Sequence, residues 1–400
     1  TISFLFNLGI SKSIVISINN FPKFKEEVAF EGVKYTLFIS FFIFFFLILL
    51  LLFFQGILGD EKVFLIKYCS LGIIISLFYL CFEGIFLGNE KFKFSSLFNF
   101  IFYSLALSVP SLILIFYQDL SLENLIIISL TIKLVTIMLM MFVLILKGLI
   151  KKNKKKLLLN NLKKNSKWLT SNSILDQFYY LLDKYLIKIF LGPVALATYS
   201  IPQQIMWKLS VISKGFSNFL LPLLSKKNST NDDFNTSLNI FLRVLPVIIF
   251  SIFPLYGLLL KIWLGSQFSE EILYLTKIFS LSVLFSCGSH ILVTKFEASK
   301  ILKQNIKFES YLLPFFLIII FFLIINSFPL AFIALTILAK ELILLVLRMN
   351  FLKMEINNVN KYYYYLIIFL MMLFFSVYNQ TIFIVLEIVM IINILLNYDN

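Results

Sequence analysis

Apolar runs of about 20 residues follow one another along almost the whole chain. A helix of that length crosses the hydrocarbon core of a bilayer, because its backbone satisfies its own hydrogen bonds there. The 400 residues are 60% hydrophobic and only 14% charged, and that charged share is about half the share in an ordinary soluble domain. The runs therefore predict an all-α polytopic membrane protein. They exclude a soluble enzyme, a disordered protein and a protein with nucleic acid as its partner.

We predict that residues 1–18 form the end of one span and that further spans follow it. Strands of a β-barrel would alternate between apolar and polar residues, and these runs do not alternate. The further spans are predicted at about residues 35–58, 63–88, 94–117, 122–147, 168–191, 196–224, 237–260, 272–296, 308–326, 329–350, 362–378 and 380–397.

Lysine is concentrated in every second loop between these spans, whereas the other loops are short and rich in acid. Asp60 with Glu61, and Glu270 with Glu271, mark two of the acidic loops. Loops with excess lysine and arginine stay in the cytoplasm during insertion. The net charge of +14 is therefore expected to lie in cytoplasmic loops, where the lysines contact membrane lipids.

The longest loop divides the chain. Residues 147–167 contain nine lysines and no acidic residue, so this segment is either a solvated loop against anionic headgroups, a linker between two helix bundles, or both. A faint repeat, in which Leu58-Gly59 recurs six spans later as Leu264-Gly265, also favours two units. We expect an N-terminal bundle over 1–150, a lysine-rich cytoplasmic linker over 151–167, a C-terminal bundle over 168–352 and two additional helices over 353–400.

Four motifs occur in a fixed order along the chain. They are Leu5-Phe6-Asn7-Leu8-Gly9-Ile10-Ser11-Lys12-Ser13; the run from Glu83 to Phe92; a group from Trp168 through Asp183-Lys184 and Ala197-Thr198-Tyr199 to Leu221-Pro222; and Trp263-Leu264-Gly265. Together they resemble the polysaccharide (O-antigen) flippases of the multidrug/oligosaccharidyl-lipid/polysaccharide exporter superfamily. Two departures from the family pattern are Asn7, where Asp is usual, and Lys12, where Arg is frequent.

The resemblance implies two six-helix bundles in a pseudo-two-fold arrangement plus two extra C-terminal helices, with the first helix and half of the second missing from this chain. It implies a flippase, not an enzyme, that moves polyprenyl-pyrophosphate-linked oligosaccharide across the bacterial cytoplasmic membrane by alternating access, for O-antigen or capsule synthesis. It implies no cofactor, although coupling to protons or sodium is compatible with it. A polysaccharide polymerase and chain-length machinery would be its protein partners.

Other functions remain open at this stage. A cation-coupled multidrug extruder and a flippase for lipid-linked peptidoglycan precursors would have the same fold. A membrane-embedded polysaccharide polymerase would need acids or bases assembled at a surface, and the longest predicted outer loop is only about ten residues long, around 261–271. We therefore disfavour catalysis.

Charged residues near the centres of predicted spans are candidates for function. A charge at mid-membrane costs ~3 kcal/mol on an insertion scale, so six of them facing lipid would cost roughly 15–20 kcal/mol, which exceeds or equals a typical folding stability of ~5–15 kcal/mol. They should therefore face a bundle interior or a wet cavity. These residues are Lys133, Asp183, Lys184, Lys208, Lys340 and Glu341.

The span that begins at Trp168 is the richest in such residues. Asp176 and Asp183 are seven residues apart and share one helix face, whereas Lys184 points ~100° away from Asp183. Lys208 is the nearest candidate partner in sequence. An interhelical ion pair that only fixes packing is the alternative to a transport role for these residues.

Candidate site residues follow from the chemistry of a pyrophosphate cargo. Lysine ammonium groups bind phosphates as point charges, and the candidate cavity cations are Lys12, Lys133, Lys184 and Lys208. Asp183, with Asp176, is the candidate for ion pairing or coupling, because burial of a carboxylate favours its protonated form.

Overall fold

The computed structural model describes residues 9–54, 60–117, 121–151, 156–226, 231–252 and 255–352. Every regular element within those ranges is a helix, which confirms the all-α prediction. The two additional C-terminal helices expected over 353–400, and Asn7 of the first motif, lie outside the described residues.

The helices in the first part of the chain begin with α1. They are α1 (Ile10–Asn20), a 3₁₀ turn (Pro22–Phe24), α2 (Lys25–Phe54), α3 (Asp60–Gly88), α4 (Phe92–Asn99), a π-helical segment (Phe100–Leu105), α5 (Ala106–Phe116) and α6 (Leu122–Leu146). The later helices are α7 (Lys156–Phe190), α8 (Gly192–Lys208), α9 (Ser210–Leu224), α10 (Asn231–Ile252), α11 (Tyr256–Leu264), α12 (Glu270–Ala298), α13 (Leu302–Ile325) and α14 (Leu330–Phe351).

Seven stretches of helix in the described part of the chain are long and apolar enough to cross a membrane. They are Pro22–Leu49, Ser70–Gly88, Phe92–Phe116, Glu123–Leu146, Glu270–Ala298, Leu302–Ile325 and Leu330–Phe351. The chain is therefore a multi-pass membrane protein, as the apolar runs predict. Large apolar side chains such as Phe41 and Phe53 on α2 are exposed, which suits a helix in contact with lipid.

The chain forms two compact units. Unit 1 contains the residues up to Gln177 together with Asn218–Ser229 and Glu297–Lys303, and unit 2 contains Phe178–Ser217, Thr230–Phe296 and the residues from Gln304 onward. The boundaries expected from the lysine-rich loop stay a prediction.

Unit 1 is built around close contact between α1 and α3. Gly84 and Gly88 have the spacing of a Gly-x-x-x-Gly motif, which allows helices to approach closely in membranes. A Cβ atom placed on Gly84 would lie 2.6 Å from the backbone oxygen of Ser11, and one on Gly88 would lie 2.8 Å from Cδ1 of Ile18. Gly9 precedes α1 with φ of 56°, and there a Cβ would lie 2.3 Å from Cβ of Leu169. Parts of three of the four sequence motifs therefore meet in the packing of this unit.

Three predicted elements differ from the structure. The single span predicted over 237–260 is covered by two helices, because α10 ends at Ile252 and α11 begins at Tyr256. The sequence predicts a loop up to Lys167, whereas α7 already begins at Lys156, because Leu162 is buried and lysine and leucine are good helix formers. The single span predicted over 196–224 is two helices, broken at Leu209. The hydroxyl of Ser210 donates to the carbonyl of Trp207 at 2.7 Å beside this break, and side-chain bonds of this kind compete with helical backbone bonds.

Candidate functional site

Asp183 is the most enclosed acidic residue of the predicted site, with 1% of its surface exposed. Its Oδ2 accepts hydrogen bonds from the hydroxyl of Tyr199 at 2.8 Å and from Nε2 of Gln203 at 3.1 Å. Its Oδ1 accepts from the backbone N–H of Lys184 at 2.8 Å. Tyr199 and Gln203 are one helical turn apart on α8, so they present both donors to α7 from the same face. The carboxylate thus joins α7 to α8 within unit 2.

The structure gives Asp183 neutral donors instead of the lysine that the sequence suggested. Lys208, the candidate partner, is exposed at the end of α8. Asp176 is exposed as well and accepts from Nδ2 of Asn172 at 3.2 Å. The two carboxylates predicted to share one helix face therefore differ in exposure, because other helices bury Asp183 and leave Asp176 exposed.

Lys184 lies beside this carboxylate but uses an aromatic ring as its contact. Its Nζ is 3.1 Å from the ring centroid of Tyr180, a cation–π geometry. Tyr180 in turn contacts Trp207 edge to face, with ring centroids 6.3 Å apart and an angle of 82° between the rings. Lys184, Tyr180 and Trp207 are all half-buried. Tyr180, about one turn before Asp183 and Lys184 on α7, thus places an aromatic ring against the ammonium group and joins it to Trp207.

The other two candidate cations belong to unit 1. Nζ of Lys12 forms a salt bridge with Oε1 of Glu297 at 2.5 Å, and the lysine side chain is 44% exposed whereas the glutamate side chain is 2% exposed. Lys133 is half-buried, with Nζ 5.6 Å from the ring centroid of Phe102. Lys12 is therefore already neutralised by a carboxylate.

Lys340 and Glu341 neutralise each other within α14. Nζ of Lys340 lies 2.8 Å from Oε1 of Glu341, with both side chains buried, and 4.2 Å from the ring centroid of Tyr179. An interior pair of this kind meets the expectation that these charges avoid lipid. We therefore assign the Lys340–Glu341 pair a structural role in helix packing.

A network of hydrogen bonds and one ion pair is centred on Arg348, and it was not predicted from the sequence. Nε donates to Oδ1 of Asn305 at 2.7 Å, while Nη1 bonds the hydroxyl of Ser289 and Nη2 pairs with Glu309. The hydroxyl of Tyr179 donates to the backbone carbonyl of Glu309 at 2.6 Å. The available signal was that an arginine, with its rigid fork of donors, stands near the end of a span in a chain whose other cations are almost all lysine.

A second polar network lies in unit 1 next to the π-helical segment. The hydroxyl of Tyr79 donates to Oδ1 of Asn99 at 2.5 Å, and Nδ2 of Asn99 donates to Oε1 of Glu83 at 3.0 Å. Phe102, in the π-helical segment, stacks on Tyr79 with ring centroids 4.0 Å apart. The sequence marked Glu83 as part of a motif but gave no partner for it.

A family model described as "Polysaccharide biosynthesis protein" matches residues 2–273. The chain belongs to this polysaccharide biosynthesis family. The resemblance drawn from the four motifs is thereby confirmed. A curated relative, a putative O-antigen transporter from Shigella flexneri, is 32% identical over 106 residues, and this alignment spans a quarter of each chain.

Solved structures show which fold this polysaccharide biosynthesis protein has. It is similar to a MOP superfamily transporter from Pyrococcus furiosus, with a TM-score of 0.72 and 13% identity over 90% of this chain and 85% of that one. It is also similar to a Vibrio cholerae MATE transporter, with a TM-score of 0.63 and 14% identity over 88% of this chain and 86% of that one. At these identities the likeness establishes the helical fold alone.

Residues from three of the four motifs that carried the family resemblance fall into two groups in this family member. The glycines of the first two motifs allow helices to approach closely. Asp183 and Tyr199 of the third motif bond to each other through side chains. The third motif therefore contributes to a polar interior site, and the second motif contributes Glu83 to another.

Proposed function

We propose that this protein is a flippase that moves polyprenyl-pyrophosphate-linked oligosaccharides across the bacterial cytoplasmic membrane by alternating access, for surface polysaccharide synthesis. The match of a polysaccharide biosynthesis family over residues 2–273 carries the proposal. The relative named as a putative O-antigen transporter and the fold shared with MOP transporters support it. In this proposal the lysine-rich loops are cytoplasmic, the protein is not an enzyme, and a polymerase and chain-length proteins receive the cargo.

Charge supports the same proposal. The sugar and pyrophosphate of such a cargo cannot cross hydrocarbon unaided, whereas its prenyl tail can stay in lipid. In the part of the chain that the structure describes, no carboxylate lies within salt-bridge distance of Lys184, whose ammonium group rests on Tyr180. We assign this lysine to the pyrophosphate, with Lys133 and Lys208 as further candidates, and we assign Lys12 to its pair with Glu297.

Asp183 is our proposed coupling residue for protons or sodium. The ionised carboxylate accepts three hydrogen bonds, two of them from α8. Protonation would place a donor where Tyr199 and Gln203 already donate, and would weaken the connection between α7 and α8. Such a carboxylate can link an ion to a helix movement.

A cation-coupled multidrug extruder is the second candidate, favoured by the fold shared with MATE transporters. A flippase for peptidoglycan precursors would act on the same class of lipid pyrophosphate. Both alternatives predict different phenotypes from those of the leading proposal.

Complementation separates these functions. The full-length protein is expressed in a bacterium that lacks its own O-antigen flippase, and surface polysaccharide is measured at matched protein levels. We expect wild type to restore the polysaccharide and Lys184→Ala to lower it about tenfold or more, because a charge-assisted phosphate contact is lost. Lys188→Ala is the matched control, since Lys188 is exposed one turn away on the same helix.

The possible results lead to different conclusions. Well-expressed wild type that restores no polysaccharide but confers drug resistance would favour the extruder. Rescue of a strain depleted of its peptidoglycan precursor flippase would favour that cargo. Equal rescue by Lys184→Ala and Lys188→Ala would keep the flippase and remove Lys184 from the cargo site.

A further inference from the structure

Two stripes of polar and aromatic side chains face each other in unit 2. On α8, Tyr199, Gln203 and Trp207 recur every four residues and so lie on one face. On α7, Tyr180 contacts Trp207, and Asp183 contacts the other two residues. The two stripes contact each other over about two turns of helix.

Two buried atoms on the α8 stripe have unused hydrogen-bonding capacity. Oε1 of Gln203 and Nε1 of Trp207 are buried, and no described residue forms a hydrogen bond with either of them. Nε2 of Gln203 is directed at the carboxylate of Asp183, because the opposite amide orientation would set two oxygens against each other. Oε1 must therefore point away from Asp183. One acceptor and one donor, a single turn apart on the helix, are left over.

A buried acceptor and a buried donor that both lack hydrogen-bond partners destabilise the interior of a membrane protein. A hydroxyl group can satisfy both atoms, because it donates to an amide oxygen and accepts from an indole N–H. The rings of Tyr180 and Trp207 are half-buried beside them. Lys184 covers one face of Tyr180, and the Trp207 ring offers an apolar surface to the C–H groups of a ring-shaped ligand. A hexopyranose ring combines these features, with hydroxyls at its rim and C–H groups on its faces.

We propose that Gln203, Trp207 and Tyr180 form a sugar subsite. It holds the first sugar of the cargo, the one attached to pyrophosphate, because Lys184 lies on the Tyr180 ring and supplies a cation at the edge of the subsite. This inference rests on the flippase function proposed above and names the part of the protein that recognises the glycan rather than the phosphate.

The test compares two lipids on the purified full-length protein in lipid nanodiscs. One is bare polyprenyl pyrophosphate, and the other is the same lipid carrying a hexopyranosyl disaccharide. Wild type should bind the glycosylated lipid more tightly. Trp207→Phe keeps an aromatic ring but removes the N–H, so it should weaken binding of the glycosylated lipid about five- to tenfold and leave the bare lipid unchanged. Trp263→Phe is the matched control, because Trp263 is 64% exposed on α11.

A second pair of variants separates the subsite from the carboxylate. Gln203→Met and Tyr199→Phe each remove one hydrogen bond to Oδ2 of Asp183, but only Gln203→Met removes the free amide oxygen. We expect Gln203→Met alone to reduce the preference for the glycosylated lipid.

Three results would overturn the subsite. Equal affinity of wild type for both lipids, an unchanged preference in Trp207→Phe, or an equal loss for both lipids would mean that a water molecule or packing accounts for the two atoms. If wild type binds neither lipid, the flippase proposal itself fails and the subsite fails with it. Binding of both lipids with no effect of the variants leaves the flippase proposal standing and removes only the subsite.

Discussion

At the residue scale, the environment of Asp183 makes a prediction about stability. Asp183→Asn replaces one carboxylate oxygen by an amide nitrogen, which then faces one of three groups that already donate. We expect the substitution to lower the free energy of unfolding by about 1–3 kcal/mol, the cost of an unmatched buried polar group. Thermal unfolding of the purified protein in detergent measures this.

Asp176→Asn is the control, because it is the same chemical change on the same helix at an exposed position. It should leave the unfolding temperature nearly unchanged. If both variants unfold at the wild-type temperature, the hydrogen bonds of Asp183 do not stabilise the fold, and its connection to α8 loses its physical basis.

The site shows what sequence patterns can predict about single residues. The cost of intramembrane charge correctly indicated that Asp183, Lys340 and Glu341 would be enclosed. Lys133 and Lys184 are half-buried, and Lys208 is exposed because it ends α8 and does not lie at the centre of a span. The hydrogen-bond partners of Asp183 could not be predicted. Tyr199 and Gln203 are neutral, and nothing in the sequence distinguishes them from other polar residues of a helix. Asp176 and Asp183 share a helical face in projection, yet only tertiary packing decides which of the two is covered.

At the element scale, the contact of α1 with α3 makes a prediction about packing. A methyl group at Gly84 would meet the backbone of Ser11 at 2.6 Å, and backbone cannot move aside as a side-chain tip can. Gly84→Ala should therefore lower the free energy of unfolding by about 1–3 kcal/mol through overpacking, measured by thermal unfolding. Gly215→Ala, in α9, is the control because nothing lies within 4 Å of its added methyl group, and it should be neutral or stabilise by up to ~1 kcal/mol. A Gly84→Ala protein as stable as Gly215→Ala would show that the two helices pack less closely.

Helix existence was predictable from apolar runs, and helix boundaries were not. Hydropathy detects the part of a helix in lipid, so it missed the lysine-bearing start of α7, which is held by buried Leu162. It also predicted α8 and α9 as one helix, since the break at Leu209 does not change the hydropathy of the run. The π-helical segment carries no compositional signal at all.

At the scale of the whole molecule, two ion pairs hold distant parts of the sequence together in unit 1. Lys12 pairs with Glu297, and Lys226 pairs with Glu90 at 2.6 Å. Residues of the segments Asn218–Ser229 and Glu297–Lys303 thereby contact α1 and the turn between α3 and α4. The pairs differ in exposure: Glu297 is 2% exposed, whereas Lys226 and Glu90 are 46% and 41% exposed.

This difference predicts unequal effects of charge reversal. Lys12→Glu leaves the buried carboxylate of Glu297 beside another acid, so it should lower the free energy of unfolding by about 2 kcal/mol or more. Lys226→Glu should change it by less than about 1 kcal/mol, since exposed pairs are weak. The exchange Lys12→Glu with Glu297→Lys should recover part of the loss in a thermal-unfolding comparison. Equal effects of the two single reversals would contradict the role assigned to burial.

The π-helical segment Phe100–Leu105 has a consequence for how this protein can change over generations. Such a wide turn accommodates one residue more than a regular helix. The insertion of a single codon into the gene of a regular helix would produce this geometry. Removing one residue there would restore an ordinary helix and rotate either Asn99 or the whole of α5 by ~100° relative to the other. The hydrogen bond from Asn99 to Glu83 would then be kept only if the lipid-facing side chains of α5 turned inward. Length variation at this position is consequently expected to occur together with compensating substitutions on α5.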